Sequence, residues 1–239
     1  MIRLIYKIGK EENKMKKMNK KGFTLIELLA VIVILGLLMA IAIPSVTKYI
    51  TQSRKKTLTN TISNYMSALT TEVNNMEYTF TGTNTIYAVP IECIAVERGG
   101  TDPFGQWYPA NTLNDDGTPN AASTYWAYVL VQYDDKTASY TYGFTFKDSA
   151  GYGLAPTAST KIKESGSQVV TDTGLSHPMA MTQAKNYSTN WAGFKYYAGG
   201  ETGCKDAAGN SVACTATTLK VLKSAKTGDG VNTCTVAQQ

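Results

Sequence analysis

One acidic residue, Glu27, is the only charge in an apolar run of 21 residues, 23–43. A carboxylate near the middle of a membrane costs about 2 to 3 kcal/mol on insertion scales, so it is usually retained for a partner. The chemistry open to it in apolar surroundings is ion pairing with a cation. Basic residues precede the run at Lys16, Lys17, Lys20 and Lys21. The question is therefore which cation Glu27 meets, and which element brings the two charges together.

The run is long enough to form a membrane-spanning helix. Its residues, at about 1.5 Å each, give a helix of roughly 31 Å, and the hydrocarbon core of a bilayer is about 30 Å thick. Because the lysines precede the run, the positive-inside rule places the amino end in the cytoplasm. We therefore expect a single-pass protein of the cytoplasmic membrane whose large C-terminal part lies outside the cytoplasm.

Two conventional interpretations leave the acid unexplained. A plain single-pass anchor gains nothing from Glu27. A secretory signal peptide also fits, because Ala40-Ile41-Ala42 satisfies the small-x-small rule and would release a chain that starts at Ile43. Either interpretation makes the protein an anchored or secreted binding module, in which a carboxylate at position 27 has no function.

A third interpretation supplies the missing cation. The segment Gly22-Phe23-Thr24-Leu25-Ile26-Glu27, which follows the lysine cluster, closely resembles the class III leader and mature start of type IV pilins and pseudopilins. The resemblance implies that a membrane-bound prepilin peptidase cleaves between Gly22 and Phe23 and methylates the new amino terminus. Cleavage would then create a cation at Phe23, four residues before the acid.

The resulting charge pair would set the register of a filament. Two unit charges about 4 Å apart attract by roughly 4 kcal/mol at an effective dielectric near 20, and desolvation offsets part of that attraction. If subunits stagger, Glu27 of an incoming copy meets the amine of Phe23 on its neighbour. Gly36 and Pro44 stand where pilin helices commonly carry a glycine and a proline. Both residues weaken a helix locally, which would let it bend or stretch on packing.

The resemblance and the residue pattern predict an α+β fold of the type IV pilin kind. Residues 1–22 are the leader, which translation from Met15 would shorten to eight residues, and residues 23–76 are one long helix with a membrane or filament-core segment at 23–43. Residues 77–239 are expected to form a β-rich globular domain. An amphipathic stripe at helical spacing is expected to pack on the sheet. Its members are Leu58, Ile62, Tyr65, Met66, Leu69, Val73 and Met76.

Strands are expected after residue 79, in an antiparallel sheet with long loops. Runs rich in Tyr, Thr and Val, bounded by Gly, Asn, Asp and Pro, predict them at 88–96, 125–133, 139–146, 191–197 and 217–222. Residues 152–188 lack clear periodicity and are interpreted as an extended surface loop. The basic residues Arg54, Lys55 and Lys56 are interpreted as a solvated face.

The four cysteines are Cys93, Cys204, Cys214 and Cys234. An extracytoplasmic location favours disulfides, and no CxxC pair is present to indicate zinc. Three connectivities are available. We expect Cys204 to pair with Cys214, because the intervening KDAAGNSVA carries an Ala-Gly-Asn turn that suits a hairpin. Cys93 with Cys234 would then tie the C-terminus to the first strand, which resembles the disulfide-tied C-terminal region of many pilins.

The sequence predicts no catalytic site, metal or cofactor. The single histidine, His177, precedes a proline and has no companion at ligand spacing, and no nucleophile elbow, phosphate loop or HExxH motif is present. The net charge of +5 gives little support for nucleic-acid binding. Residues 1–22 carry eight basic and two acidic residues, which leaves fifteen basic against sixteen acidic residues in 23–239. The basicity is therefore a property of the leader.

The expected function is structural: a subunit of a type IV pilus-like filament, stored in the cytoplasmic membrane and then assembled at the cell surface. The resemblance implies other pilin copies, a prepilin peptidase, an inner-membrane platform and an assembly ATPase as partners. A mature chain of 217 residues, which is 239 minus 22, favours a pilin, major or minor, with adhesion, motility or DNA uptake as candidate roles. The alternative within the family is a pseudopilin of a type II secretion or competence system.

Overall fold

The computed structural model describes most of the chain from residue 22 onward. The described residues are 22–75, 79–82, 84–94, 124–178, 191–197, 199–206, 208–226 and 232–235, without the side chains of Glu92 and of the residues from 223 onward. The chain divides into two compact units, Met1–Tyr49 and Ile50–Gln239. One helix, α1, spans Leu25–Asn74 and contains the boundary between the units.

The second unit is built on a six-stranded sheet. The strands described in the second unit are β1 (Thr85–Pro90), β2 (Trp126–Asp134), β3 (Ser139–Lys147), β4 (Tyr152–Ala158), β5 (Val170–Thr171), β6 (Cys204–Lys205), β7 (Ser211–Val212), β8 (Thr218–Val221), β9 (Lys223–Lys226) and β10 (Asn232–Thr235). The sheet has the order β5-β4-β3-β2-β1-β8, and only the pair β1 and β8 is parallel. The strands β6 and β7, and β9 and β10, form two small hairpins.

The C-terminal part of α1 packs on one face of this sheet. The predicted stripe from Leu58 to Val73 is buried, whereas Met76 lies outside the described residues. The stripe shares a core with Val89, Val129 and Phe144. Each fully buried side chain of this kind contributes about 1.5 to 3 kcal/mol of transfer free energy. The predicted α+β class, a long N-terminal helix on a mostly antiparallel sheet, is therefore confirmed.

Arg54 joins α1 to the turn that follows β3. Its Nη2 lies 3.5 Å from Oδ2 of Asp148, and its guanidinium lies 5.0 Å from the ring centre of Tyr152. The Asp148 side chain is fully buried and also accepts hydrogen bonds from the backbone N–H groups of Ala150 and Tyr152, at 3.0 and 2.6 Å. A buried carboxylate requires such partners, because an unpaired buried charge is strongly destabilising. The interpretation of Arg54 as part of a solvated face is therefore wrong.

The opposite face of the sheet is covered as well. Trp126, Tyr128 and Leu130 of β2 pack with Trp191, and Phe194 lies partly buried against them. Because β2 has one packed layer on each side, it is buried continuously from Trp126 to Gln132 instead of alternating between core and solvent. The second layer places β2 at the centre of the domain.

Three stretches differ from their predicted structure. Residues 191–197, predicted as a strand, contribute only an isolated bridge between Ala192 and Thr157. The segment turns at Gly193, whose φ of +89° is unfavourable for other residues. The surface loop predicted at 152–188 begins instead with β4 and continues through β5. The first strand, predicted at 88–96, runs from Thr85 to Pro90.

Gly143, in the middle of β3, marks a close approach of β4 and of the second layer. A Cβ at this position would lie 2.3 Å from the carbonyl oxygen of Thr157 and 2.5 Å from Cζ of Phe194. We expect Gly143→Ala to lower the free energy of unfolding by about 1 to 3 kcal/mol, the usual cost of overpacking. Urea unfolding of the full chain in detergent, followed by tryptophan fluorescence, measures the change.

Gly174→Ala is the matched control for that substitution. A Cβ at Gly174 would meet no atom within 4 Å, and its φ lies outside the left-handed region. This variant should unfold within about 0.5 kcal/mol of the parent, as substitutions at open surface positions usually do. Equal shifts in the two variants would contradict the explanation of Gly143 by close packing.

The predicted pairing of Cys204 with Cys214 is confirmed. The two residues form a disulfide with an S–S distance of 2.00 Å, and it closes the hairpin of β6 and β7. Within the hairpin, Oδ1 of Asp206 accepts hydrogen bonds from the N–H groups of Ala208 and Asn210, both at 2.9 Å. The carboxylate therefore fixes the turn that the sequence predicts there.

The second pairing stays a prediction. Cys93 ends the short 3-10 helix Ile91–Cys93 and is itself disulfide-bonded. The backbone of β10, which contains Cys234, lies against this helix. The Cys234 side chain lies outside the described part of the chain, and the contact between the two elements supports the expected bond between Cys93 and Cys234.

Candidate processing and assembly segment

The first unit presents an apolar helix to solvent. Every described residue up to position 49 is exposed, including large apolar side chains of Leu, Ile, Val and Met along α1. Monomeric soluble proteins rarely expose apolar patches larger than a few hundred Å². By length and composition, α1 can cross a membrane. The segment therefore requires surroundings other than water, which lipid or the apolar surfaces of other helices would supply.

The peptide bond between Gly22 and Phe23 is accessible. Both residues are exposed, Phe23 at 87%, and α1 begins only at Leu25. A protease can therefore reach this bond without first unwinding a helix. The lysine cluster and Met15 lie outside the described residues, so the extent of the leader stays a prediction.

Glu27 and Thr24 together cap the start of α1. The backbone N–H and the hydroxyl of Thr24 donate to Oε2 of Glu27, at 2.8 and 2.9 Å, and the N–H of Glu27 donates to Oγ1 of Thr24 at 3.3 Å. This arrangement is a capping box, which satisfies N–H groups that have no partner in the first turn of a helix. Its signature, Thr-x-x-Glu before an apolar run, is visible in the sequence, but the sequence prediction assigned Glu27 to ion pairing alone.

The cap leaves the carboxylate with capacity for another partner. The hydrogen bonds from Thr24 use Oε2, and Oε1 of Glu27 accepts none from the residues that the structure describes. An ionised carboxylate has about four acceptor sites. Because the cap holds the carboxylate beside the N–H of Thr24, the acid lies close in sequence and space to the residue whose amine cleavage would expose. A cation could therefore bind without displacing the cap.

Gly36 and Pro44 both lie inside α1, which is continuous through them. A Cβ at Gly36 would meet no atom within 4 Å, so contacts within the chain do not require glycine there. Pro44 has no N–H to donate to the preceding turn. Three residues later, the Thr47 hydroxyl donates to the carbonyl of Ile43 at 2.9 Å. The predicted weakening of the helix at these two positions stays a prediction.

A comparison with known families finds a match in this segment. Residues 17–43 match the model of the prokaryotic N-terminal methylation motif. The chain carries a class III prepilin leader. This methylation motif contains Gly22, Phe23, Glu27 and Gly36, and Pro44 follows it directly. No curated protein and no solved structure matches the chain.

The methylation motif supports a type IV pilin- or pseudopilin-like protein. It implies processing by a prepilin peptidase and assembly into pilus-like polymers, and with the apolar helix it indicates anchoring in a membrane. Proteins with this motif are generally structural and not enzymes. The unit that begins at Ile50 lies outside the match, so its properties are inferred from its structure alone.

The remaining predicted residues lie in the second unit. His177 is buried in the second layer and hydrogen-bonds through Nε2 with the hydroxyl of Tyr128, at 3.1 Å. Among the described residues, no three His, Cys, Asp or Glu side chains are grouped to hold a metal ion. The candidate site is therefore the segment from Gly22 to Pro44, for which cleavage, methylation and helix packing stay predictions.

Proposed function

We propose that the protein is a structural subunit, a major or minor pilin, of a type IV pilus-like filament. One observation supports this proposal above all others: the methylation motif coincides with the exposed apolar part of α1, in which the one acid, Glu27, caps the helix. An anchor or a signal peptide would account for the apolar residues, but neither would account for the acid and the motif together.

The proposed sequence of events begins with the precursor in the cytoplasmic membrane. The prepilin peptidase cleaves between Gly22 and Phe23 and methylates the amine of Phe23. An inner-membrane platform and its ATPase then move the subunit from lipid into a filament at the cell surface, where the apolar segment packs against the same segment of other copies. The segment is kept out of water in both states, so assembly avoids the cost of about 25 cal/mol for each Å² of apolar surface exposed.

Glu27 would select the correct stagger between subunits. Its Oε1 stays available for the amine of Phe23 on an adjoining copy, while Oε2 maintains the cap on its own helix. A carboxylate left unpaired in apolar surroundings is penalised more strongly than a correct pair is rewarded. Glu27 therefore sets the stagger mainly by making misaligned assemblies unfavourable.

The first test is the amino terminus of the mature protein. We expect mass spectrometry to find a chain that starts with N-methylated Phe23 in a strain with the peptidase, and the uncut precursor in a strain without it. A mature chain that starts at Ile43 would support a signal peptide, and an uncut chain in both strains would support a plain anchor. Either result would contradict the proposal.

A second measurement separates a pilin from a pseudopilin. Surface fibres are sheared from intact cells, and the protein is sought in them with an antibody. Fibres that contain the processed chain support a surface pilin. If the processed chain occurs only in the cell envelope, the pseudopilin of a secretion or competence system is favoured. Adhesion, motility and DNA uptake are then tested on cells that lack the protein.

A further inference from the structure

A polar groove of about 410 Å³ opens in the second unit. Its walls come from the start of β1, the turn between β2 and β3, the segment 195–197 and the disulfide hairpin of β6 and β7. The polar residues that line it include Asn84, Asp134, Lys136, Lys195, Tyr197 and Lys205. Sites for small molecules usually have volumes of about 300 to 1,000 Å³, so the groove has the size of a ligand site.

Parts of the groove wall are held by bonds within the protein. Lys195 forms an ion pair with Asp134, and its backbone exchanges two hydrogen bonds with the Gln132 side chain, at 2.7 and 2.9 Å. The Cys204–Cys214 disulfide closes the hairpin of β6 and β7, which also lines the groove. A groove whose walls are already ordered loses little conformational entropy when a ligand binds. The groove is therefore partly preorganised, at Lys195 and at the disulfide hairpin.

The charges in the groove favour a ligand with one anionic group. Three lysines and two aspartates line it. Asp134 and Lys195 neutralise each other. This leaves Lys136 and Lys205, which form no ion pair with any described residue, against a single acid, Asp135. A lysine ammonium offers three donors to a carboxylate.

The remaining lining favours a ligand rich in hydroxyl groups. Tyr197 supplies a half-buried ring, and Asn84 supplies both a donor and an acceptor. The aliphatic lining residues are small, Val212 and Ala213, so the groove offers little surface to a large apolar ligand. We infer that the groove binds a saccharide that carries a carboxylate, with the carboxylate between Lys136 and Lys205 and a sugar ring near Tyr197.

Binding is tested on the full mature chain in detergent, as single subunits, so the outcome does not depend on whether filaments form. The probe is a disaccharide of glucuronic acid and N-acetylglucosamine, and the matched neutral probe is its carboxyl methyl ester. Isothermal titration should detect binding of the acid and at least tenfold weaker binding of the ester. The double variant Lys136→Gln/Lys205→Gln should bind the acid at least tenfold more weakly than the parent.

Lys163→Gln provides the control, because Lys163 is exposed and lies outside the groove. It should bind the acid as the parent does. The proposal is overturned if the acid does not bind, if acid and ester bind equally, or if Lys163→Gln weakens binding as much as the groove variant. A further variant, Cys204→Ser/Cys214→Ser, tests whether the disulfide hairpin helps to order the groove. It should bind the acid more weakly than the parent, and unchanged affinity would contradict this role of the hairpin.

Discussion

Replacement of Glu27 by alanine is expected to leave the protein in the membrane and to abolish fibre assembly. The apolar run loses its only charge, so insertion becomes more favourable by the cost of a membrane carboxylate. Assembly loses the acceptor for the amine of Phe23, whose attraction is up to about 4 kcal/mol at 4 Å. A free energy of about 4 kcal/mol corresponds to roughly a thousandfold change in an equilibrium constant. Membrane fractionation and electron microscopy of sheared fibres measure the two effects separately.

The capping box makes a second substitution necessary, because alanine removes both the charge and the cap. Glutamine at position 27 retains the capacity to cap, since Gln serves in capping boxes as Glu does, and it removes the charge. If ion pairing between copies drives assembly, Glu27→Gln should be as defective as Glu27→Ala. Near-normal fibres with glutamine, and none with alanine, would show that capping and not charge is the function of Glu27.

A change at Thr24 completes the comparison. Thr24→Val removes the hydroxyl that bonds Oε2 of Glu27 and keeps the acid. Loss of such a cap costs about 1 kcal/mol, so fibre yield should fall far less than with either change at position 27. Normal fibres from Glu27→Ala would refute the assembly function of the acid outright.

The sequence predicts the helix and the central strands well because their signals are local and repetitive. The stripe from Leu58 to Val73 recurs at three and four residues and is buried as expected. The predicted strands at 125–133 and 139–146 lie within one residue of the ends of β2 and β3. The family resemblance rests on six consecutive residues, and the methylation motif confirms it.

The second layer could not be predicted because its signals depend on tertiary contacts. β4 contains Gly153 and Pro156, which normally argue against a strand, yet Gly153 is needed where Thr173 and Leu175 approach the sheet within 3 Å of a Cβ position. Residues 191–197 have the composition of a strand, but their aromatic rings cover the sheet instead of extending it. Glycines at 143 and 153 are the sequence signal that could have indicated this close approach.

Acid is expected to destabilise the domain through His177, for which the sequence indicates no ligand or catalytic role. Its ring is buried, with the rings of Trp126 and Tyr128 edge-on at 5.6 Å each. Burial disfavours the charged imidazolium and lowers the pKa of His177 from 6.5 to about 4. The unfolded chain therefore takes up a proton below pH 6.5, whereas the folded chain does not until pH approaches 4. Stability is complete above pH 6.5 and falls as the pH drops through this window.

The expected loss between pH 7.5 and pH 5 is about 2 kcal/mol, since each pKa unit corresponds to about 1.4 kcal/mol and the window is not fully crossed at pH 5. Two carboxylates with lowered pKa values, Asp134 and Asp206, contribute little to the change in stability over this range. A hydrogen bond from Lys195 lowers the pKa of Asp134, and hydrogen bonds from Asn210 lower the pKa of Asp206, so both stay ionised. Urea unfolding of the full chain in detergent at the two pH values measures the loss.

Two variants identify the group responsible. His177→Gln has no titrating ring, so it should lose about 2 kcal/mol less than the parent between pH 7.5 and pH 5. Tyr128→Phe removes the hydrogen bond to His177 and leaves the ring buried, so the pH dependence should persist even if stability is lower at both pH values. Parallel behaviour of His177→Gln and the parent would assign the acid sensitivity to other groups. Because burial, and not the hydrogen bond, lowers the pKa, only the histidine variant should become insensitive to acid in this range.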